Sequence, residues 1–256
     1  MIDRRSRSGE RPPATWNPVD LAVAAASREQ RAEPGRFGRR PMLQSLQTFL
    51  DGLRRFQELT VSRDRAFYEH LSQGQQPLAM FITCTDSRVD PHLMLQTKPG
   101  QLFVMRNAGN IVRPYDLPGT SEAAALEFAI HALDIKHVIV CGHSHCGVMH
   151  RLMAEPPPAD MPAVAAWLRH AETVRRVVHA RLGPGNSPQH VCEAIRENVV
   201  QQLQHLQTHP AVAEKLVSRE IMLHGWIYYI DTGDVLAYDH ASKSFVPLLG
   251  EVNPDI

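Results

Sequence analysis

At 256 residues the chain is long enough for one sizeable α/β domain with its own core and a tail besides. Its 27 basic and 27 acidic residues cancel, which excludes a global field drawing it to nucleic acid or to an anionic membrane. No run approaches the roughly 18 apolar residues of a spanning helix, and Cys84, Cys141, Cys146 and Cys192 do not have the spacing of a disulfide-rich secreted framework.

Residues 1–41 are rich in Arg, Pro, Glu and Ser without a sustained period, so they bury too little apolar surface to offset ordering entropy. They are expected to form a disordered extension, with at most a short helix over 19–26. The basic run Arg4-Arg5-Ser6-Arg7 and the apolar patch at 21–26 fall short of an export signal. The folded domain is placed at 42–256.

From Met42 the pattern changes. Leu43, Leu46, Phe49, Leu50 and Leu53 recur at three and four residues, an amphipathic helix that Phe56 continues, and 64–71 is a second helical stretch. A glycine and proline turn leads to 78–83, a short apolar run that fits a strand buried on both faces of a parallel sheet and ends at Cys84. Pro91 opens a short helix to Leu95, 102–105 reads as a second strand, and 107–118 is a loop. Thr120 or Ser121 caps a helix whose Leu126, Ile130 and Leu133 face the core, followed by a strand at 138–141. Helix resumes from His145, breaks at the prolines of 155–162, and spans 163–182. Ser187 and Pro188 start another helix with an inward row of Val191, Ile195, Val199 and Leu203, and Pro210 restarts helix to Val217. Strands at 222–230 and 235–238 flank the loop Asp231-Thr232-Gly233-Asp234. The fold class is therefore α/β: a mostly parallel sheet of about four strands with an antiparallel edge strand, flanked by helices and preceded by a helical arm.

Two stretches carry chemistry, Cys84-Thr85-Asp86-Ser87-Arg88 and His143-Ser144-His145-Cys146-Gly147, each just after an apolar strand. Ligands gather at the carboxyl ends of strands in open parallel sheets, so both can serve one site. Cys84, His143 and Cys146 offer two thiolates and an imidazole, a set that selects Zn²⁺ and leaves a fourth tetrahedral position open. Asp86 is placed to accept a hydrogen bond beside the metal and Arg88 to fix that carboxylate. The backbone amide of Gly147, at a helix start, favours a small anion. Taken singly, either ligand cysteine is as readily a buried core residue, and Asp86 with Arg88 a structural ion pair. Cys141 and Cys192 are read as structural, and His145 as exposed or outside the ligand set.

These residues resemble the β-class carbonic anhydrases, which read Cys-x-Asp-x-Arg and then His-x-x-Cys. The likeness extends over residues 43–248, including the run from Pro99 to Asn110 and the late strand beginning Leu223-His224-Gly225. The resemblance implies zinc-dependent reversible hydration of carbon dioxide to bicarbonate and a proton by a zinc-bound hydroxide, with one Zn²⁺ per chain. It further implies that Gln75 donates to the substrate pocket, that Phe103 and Ala108 take wall positions, and that Gln75 and Phe103 reach a neighbouring chain's zinc in a homodimer or dimer-based oligomer. Phe128 replaces a tyrosine of part of the family. Arg106 and Tyr228 match a second, inhibitory bicarbonate site of one subtype, but Phe81 replaces its tryptophan, so that regulation is not expected. Thiolate ligands need a reducing compartment, which makes a cytoplasmic setting the expected one. Two alternatives stand beside this: hydrolysis of carbonyl sulfide or carbon disulfide on the same site, and a non-catalytic bicarbonate-binding or scaffold protein that keeps zinc structurally. Asp86 and Arg88 argue against the scaffold, which would not need them.

Overall fold

A computed structural model describes residues 39–116, 119–154 and 160–250, so the expectations for 1–38 lie outside the described residues. The chain divides into two units, Met1–Ala66 and Phe67–Ile256. In the first, helix α1 (Arg39–Arg55) begins three residues before the predicted boundary and runs into a π-helical turn, Phe56–Val61. Its apolar row is uncovered: Phe49 is 70% exposed, and Leu46, Leu53, Phe56 and Leu59 are exposed as well.

The second unit is built on a six-stranded sheet. In chain order the elements from Arg65 onward are α2 (Arg65–Leu71), β1 (Ala79–Cys84), α3 (Pro91–Leu95), β2 (Leu102–Asn107), α4 (Ser121–Glu127), β3 (His137–His143), α5 (Gly147–Met153) and α6 (Pro162–Leu168). There follow α7 (Glu172–Leu182), α8 (Pro188–Leu206), α9 (Pro210–Val217), β4 (Met222–Tyr228), β5 (Val235–Asp239) and β6 (Ser244–Pro247). The strand order is β2-β1-β3-β4-β5-β6, the first four parallel and the last two antiparallel. The sheet thus has one antiparallel edge strand more than expected. Ser244–Pro247 is only four residues long and ends in proline, so its sequence carries almost no strand signal.

Chain order sets the position of the site. From β1 the chain moves to one side to form β2 and then returns to form β3 on the other side of β1, so the carboxyl ends of β1 and β3 flank a topological switch point. Every residue of β1 is buried, and β3 is buried from Val138 onward, as strands covered on both faces require.

Helix α8 backs this region. Ser187 caps it by accepting from the His190 amide, Pro188 occupies its first turn, and Val191, Ile195, Val199 and Leu203 are buried as the spacing predicts. The helix lies so close to the sheet that a Cβ on Gly225 would stand 2.9 Å from both the Leu203 Cδ1 and the Val199 Cγ1.

Two predicted helices are less regular than their periodicity suggests. After α4 a π turn at Phe128–Ala132 inserts a wider loop of backbone, burying Ala129 and Ile130 and leaving Leu133 half-buried. The stretch predicted as one helix over 163–182 is broken by a 3₁₀ turn at Arg169–Ala171, where Ala171 is driven fully into the core. Neither break carries a glycine or proline to announce it. No described helix is long and apolar enough to cross a membrane.

Since no space separates α8 from β4, Gly225→Val should lower unfolding stability by about 1–3 kcal/mol through overpacking. Urea unfolding measures it, and an unchanged midpoint would show that α8 can move away without cost.

Candidate metal centre

Cys84 is the last residue of β1, His143 the last of β3, and Cys146 stands just before α5. Their Sγ and ring nitrogen atoms all lie within 4.8 Å of one another, and all three residues are buried. Among the described residues this is the only group of three or more His, Cys, Asp or Glu side chains so arranged. His143 Nδ1 lies 2.9 Å from the Ser144 carbonyl, which can only accept, so Nδ1 carries the proton and Nε2 presents a lone pair. That Nε2 is buried without a hydrogen-bond partner. An orphaned imidazole nitrogen beside two thiols is costly unless it has an ion to bind, so the residues fit a divalent metal.

The Cys84 thiol is lowered to about 4, chiefly by its hydrogen bond with Cys146, with burial opposing and the Gly109 and Asp86 amides assisting. Cys146 is raised by the same bond, and by burial and the negative charge on Cys84. Cys141, fully buried in β3, is pushed up to about 12 by desolvation, which agrees with a structural role. Cys192 is half-buried on α8.

Asp86 lies beside the cluster rather than in it, with its Oδ2 at 3.9 Å from His143 Nε2. Three donors of Arg88 hold it: Nε to Oδ1 at 2.9 Å, Nη2 to Oδ2 at 2.8 Å, and the backbone amide to Oδ1 at 3.0 Å. This paired guanidinium keeps the Asp86 carboxyl well below the usual carboxylate range. Arg88 Nη2 also donates to the His145 carbonyl at 3.1 Å, tying the loop after β1 to the loop after β3. His145 itself is exposed and sits at φ 56°, a left-handed conformation few non-glycine residues adopt.

Sequence reasoning did not assign Arg106 to this site. Its Nε donates to the Cys84 carbonyl at 3.0 Å and its Nη2 to the Asp86 carbonyl at 2.7 Å, bracketing the Cys-Thr-Asp segment from β2. The only signal available was the pairing of β2 with β1, which places Arg106 opposite Thr83. Phe81, where the inhibitory site would have tryptophan, packs edge-on to Trp226.

The remaining predicted positions are dispersed. Ala108 and Gly109 follow β2, and the Gly109 amide donates to Cys84 Sγ at 3.4 Å. Gly147 is exposed at the first residue of α5. Phe103 is half-buried on β2 with its ring 6.1 Å from that of Phe128, which is 50% exposed. Gln75 is exposed in the turn before β1 and makes none of the hydrogen bonds at the cluster. A cavity of about 580 Å³ touches Cys146 and Gly147 from the side of α8, but Asp86 and Arg88 do not line it. It is therefore not the space in front of the carboxylate.

Comparison with known proteins agrees with this arrangement. The family described as carbonic anhydrase matches residues 79–235. The chain is 44% identical over 209 residues to a carbonic anhydrase of Synechocystis sp., covering 81% of this chain and 76% of that protein. It is 40% identical over 209 residues to a carbonic anhydrase of Pseudomonas aeruginosa, covering 79% and 92% respectively. The solved structure of the β-carbonic anhydrase CcaA superposes with a TM-score of 0.76 at 44% identity, over 79% of this chain and 99% of that one. A β-carbonic anhydrase of Sordaria macrospora, described as tetrameric, superposes with a TM-score of 0.69 at 27% identity, over 76% and 96%.

If the cluster holds the metal, Cys84→Ser and His143→Ala each remove one of three protein ligands and should leave the ion largely lost after dialysis against a chelator. Metal analysis checks this, and full retention in both variants would overturn the ligand set.

Proposed function

The chain belongs to the β class of the carbonic anhydrase family, and we propose that Cys84, His143 and Cys146 hold one Zn²⁺ per chain. Its reaction is the family's, the reversible hydration of carbon dioxide to bicarbonate and a proton. When bound, Zn²⁺ lowers the pKa of a water from ~15.7 toward ~7 and so supplies hydroxide at neutral pH.

The protein's contribution is orientation. Asp86 Oδ2, the carboxylate oxygen nearer His143 Nε2, would accept a hydrogen bond from the attacking oxygen and so orient its lone pair toward carbon dioxide. Held ionised by Arg88, Asp86 is an acceptor only, so it cannot offer a competing proton. Arg88 fixes both oxygens and, through His145, the position of the Cys146 loop. Ala108 and Gly147 line the substrate space beside the ligands. The observation that carries this reading is the buried, unpartnered His143 Nε2 facing two thiols, with an Arg-clamped carboxylate beside it.

Gln75 and Phe103 complete the pocket from a second copy of the chain. Supporting this are the exposure of Gln75, the exposed Phe128 beside Phe103, and the uncovered apolar row of α1, which a two-fold dimer would bury twice. A reducing, cytoplasmic setting suits the protein, because all four cysteines are free and two of them serve as thiolates.

Stopped-flow carbon dioxide hydration on zinc-loaded protein tests the activity. Asp86→Asn should lower it by about 10- to 100-fold with zinc retained. Zinc-loaded wild-type protein without hydration activity would refute the reading.

The assembly has its own test, by light scattering beside the hydration assay. Removing residues 1–41 should leave dimer and activity intact, whereas removing 1–60 should cost both. A fully active monomer after the longer deletion would show that one chain builds the whole pocket.

A further inference from the structure

The peptide unit joining Ala108 to Gly109 is gripped at both ends. Its N–H, that of Gly109, donates to Cys84 Sγ at 3.4 Å, and its C=O, that of Ala108, accepts from the indole Nε1–H of Trp167 at 2.7 Å. In a planar trans peptide these two groups point in opposite directions, so fixing one fixes the other. A donor on the oxygen also polarises the N–H that faces the sulfur. The next peptide is held as well, since the Gly109 carbonyl accepts from Asn198 Nδ2 at 3.0 Å. Asn198 is oriented in turn by Gln202, whose Nε2 donates to Asn198 Oδ1 at 2.8 Å and whose Oε1 accepts from the Val112 amide at 2.8 Å. Both α8 residues are buried. Gly109 has φ +82°, and a Cβ there would stand 2.8 Å from Val148 Cγ1, so the peptide can be brought this close to the cluster only at glycine.

We propose that Trp167 is a positioning residue for the metal centre, holding the Ala108–Gly109 peptide so that its N–H stays on the Cys84 sulfur, with Asn198 as the second restraint on the same loop. This rests on the reading of Cys84 as a metal ligand. The 3₁₀ break after α6 acquires a purpose in this light. It ends the helix at Leu168, where the Trp167 indole meets the loop after β2. A hydrogen bond to a ligand sulfur draws charge from it, which changes how strongly that sulfur donates to the ion.

The test compares wild type with Trp167→Phe, which keeps an aromatic ring against His170 and removes only the donor. Both full-length proteins are loaded with Co²⁺ in place of zinc, and the sulfur-to-metal charge-transfer band is recorded. Zinc loss to a competing chelator is then timed, and thermal melting of the metal-free proteins follows. The expected result is a displaced charge-transfer band and zinc loss faster by about threefold to tenfold, below the range for direct partners of a ligand because Trp167 acts one bond further out. Metal-free melting should fall only by the few degrees that one lost hydrogen bond costs. A band and a loss rate identical to wild type would overturn the proposal, as would a lowered melting temperature with an unmoved band, which marks a merely structural tryptophan. If Trp167→Phe does not melt cooperatively, Asn198→Ser loosens the same loop from its other side and is held to the same two outcomes. Wild-type protein that shows no sulfur-to-cobalt band refutes the ligand reading itself, a result separate from equality of variant and wild type.

Discussion

The site depends on one constraint, that β1 and β3 are parallel neighbours ending at the same level. Thr83 pairs with Cys141 in register, and its hydroxyl donates to the Cys141 carbonyl at 2.9 Å, so Cys84 and His143, one and two residues further on, end their strands side by side. Two loops far apart in sequence then start within reach of each other. A one-residue slip in this register would turn Cys84 or His143 to the opposite face of the sheet and disperse the cluster. Both strands are buried on both faces, so their register is set by how their side chains interlock with the covering helices and not by an apolar-in, polar-out alternation.

Loops at strand ends carry backbone groups that the sheet no longer satisfies, and this structure meets the demand with side chains. Arg106 takes the carbonyls of Cys84 and Asp86, Arg88 that of His145, and Trp167 and Asn198 those of Ala108 and Gly109. Ser144 joins the loop after β3 to the end of β4, its amide donating to the Tyr228 carbonyl and its hydroxyl accepting from the Ile230 amide. An unsatisfied buried polar group costs about 1–3 kcal/mol, so each of these bonds removes a penalty and fixes a position at once. Against that background the buried Nε2 of His143 stands without a partner, as does Asn110 Nδ2 in the loop after β2, and of the two only the imidazole faces a pair of thiols.

Much of this was legible in the sequence, and the reasons are local. Cys84, Asp86 and Arg88 lie within five residues, as do His143 and Cys146 with Gly147, and each group follows an apolar run whose strand character is plain. Caps and prolines marked the starts of α3, α8 and α9. What could not be read depended on contacts between distant segments. Trp167 looks like an ordinary helix residue and Arg106 matches only a different, inhibitory site, and the roles both take here exist only once β2 lies beside β1 and α6 beside the loop at 108–112. The π turn after α4 and the 3₁₀ break after α6 likewise contain no glycine or proline, so the apolar repeat runs through both without marking them.

Charge completes the account, because the chain as a whole is neutral and only the local arrangement can favour an anion. With a divalent ion bound, two ionised cysteines are neutralised, and Asp86 is neutralised by Arg88. Among the described residues Arg106 is then the charged group in contact with the site for which no carboxylate partner is seen, its guanidinium resting on two carbonyls. The residual charge is thus about that of a single cation, and it is softened by solvent because Arg106 is exposed. Such a site attracts a monoanion without trapping it. An additional uncompensated cation would hold the product more firmly, and a further carboxylate would repel it, so near-neutrality with a slight positive excess suits a centre that must bind and release bicarbonate in either direction.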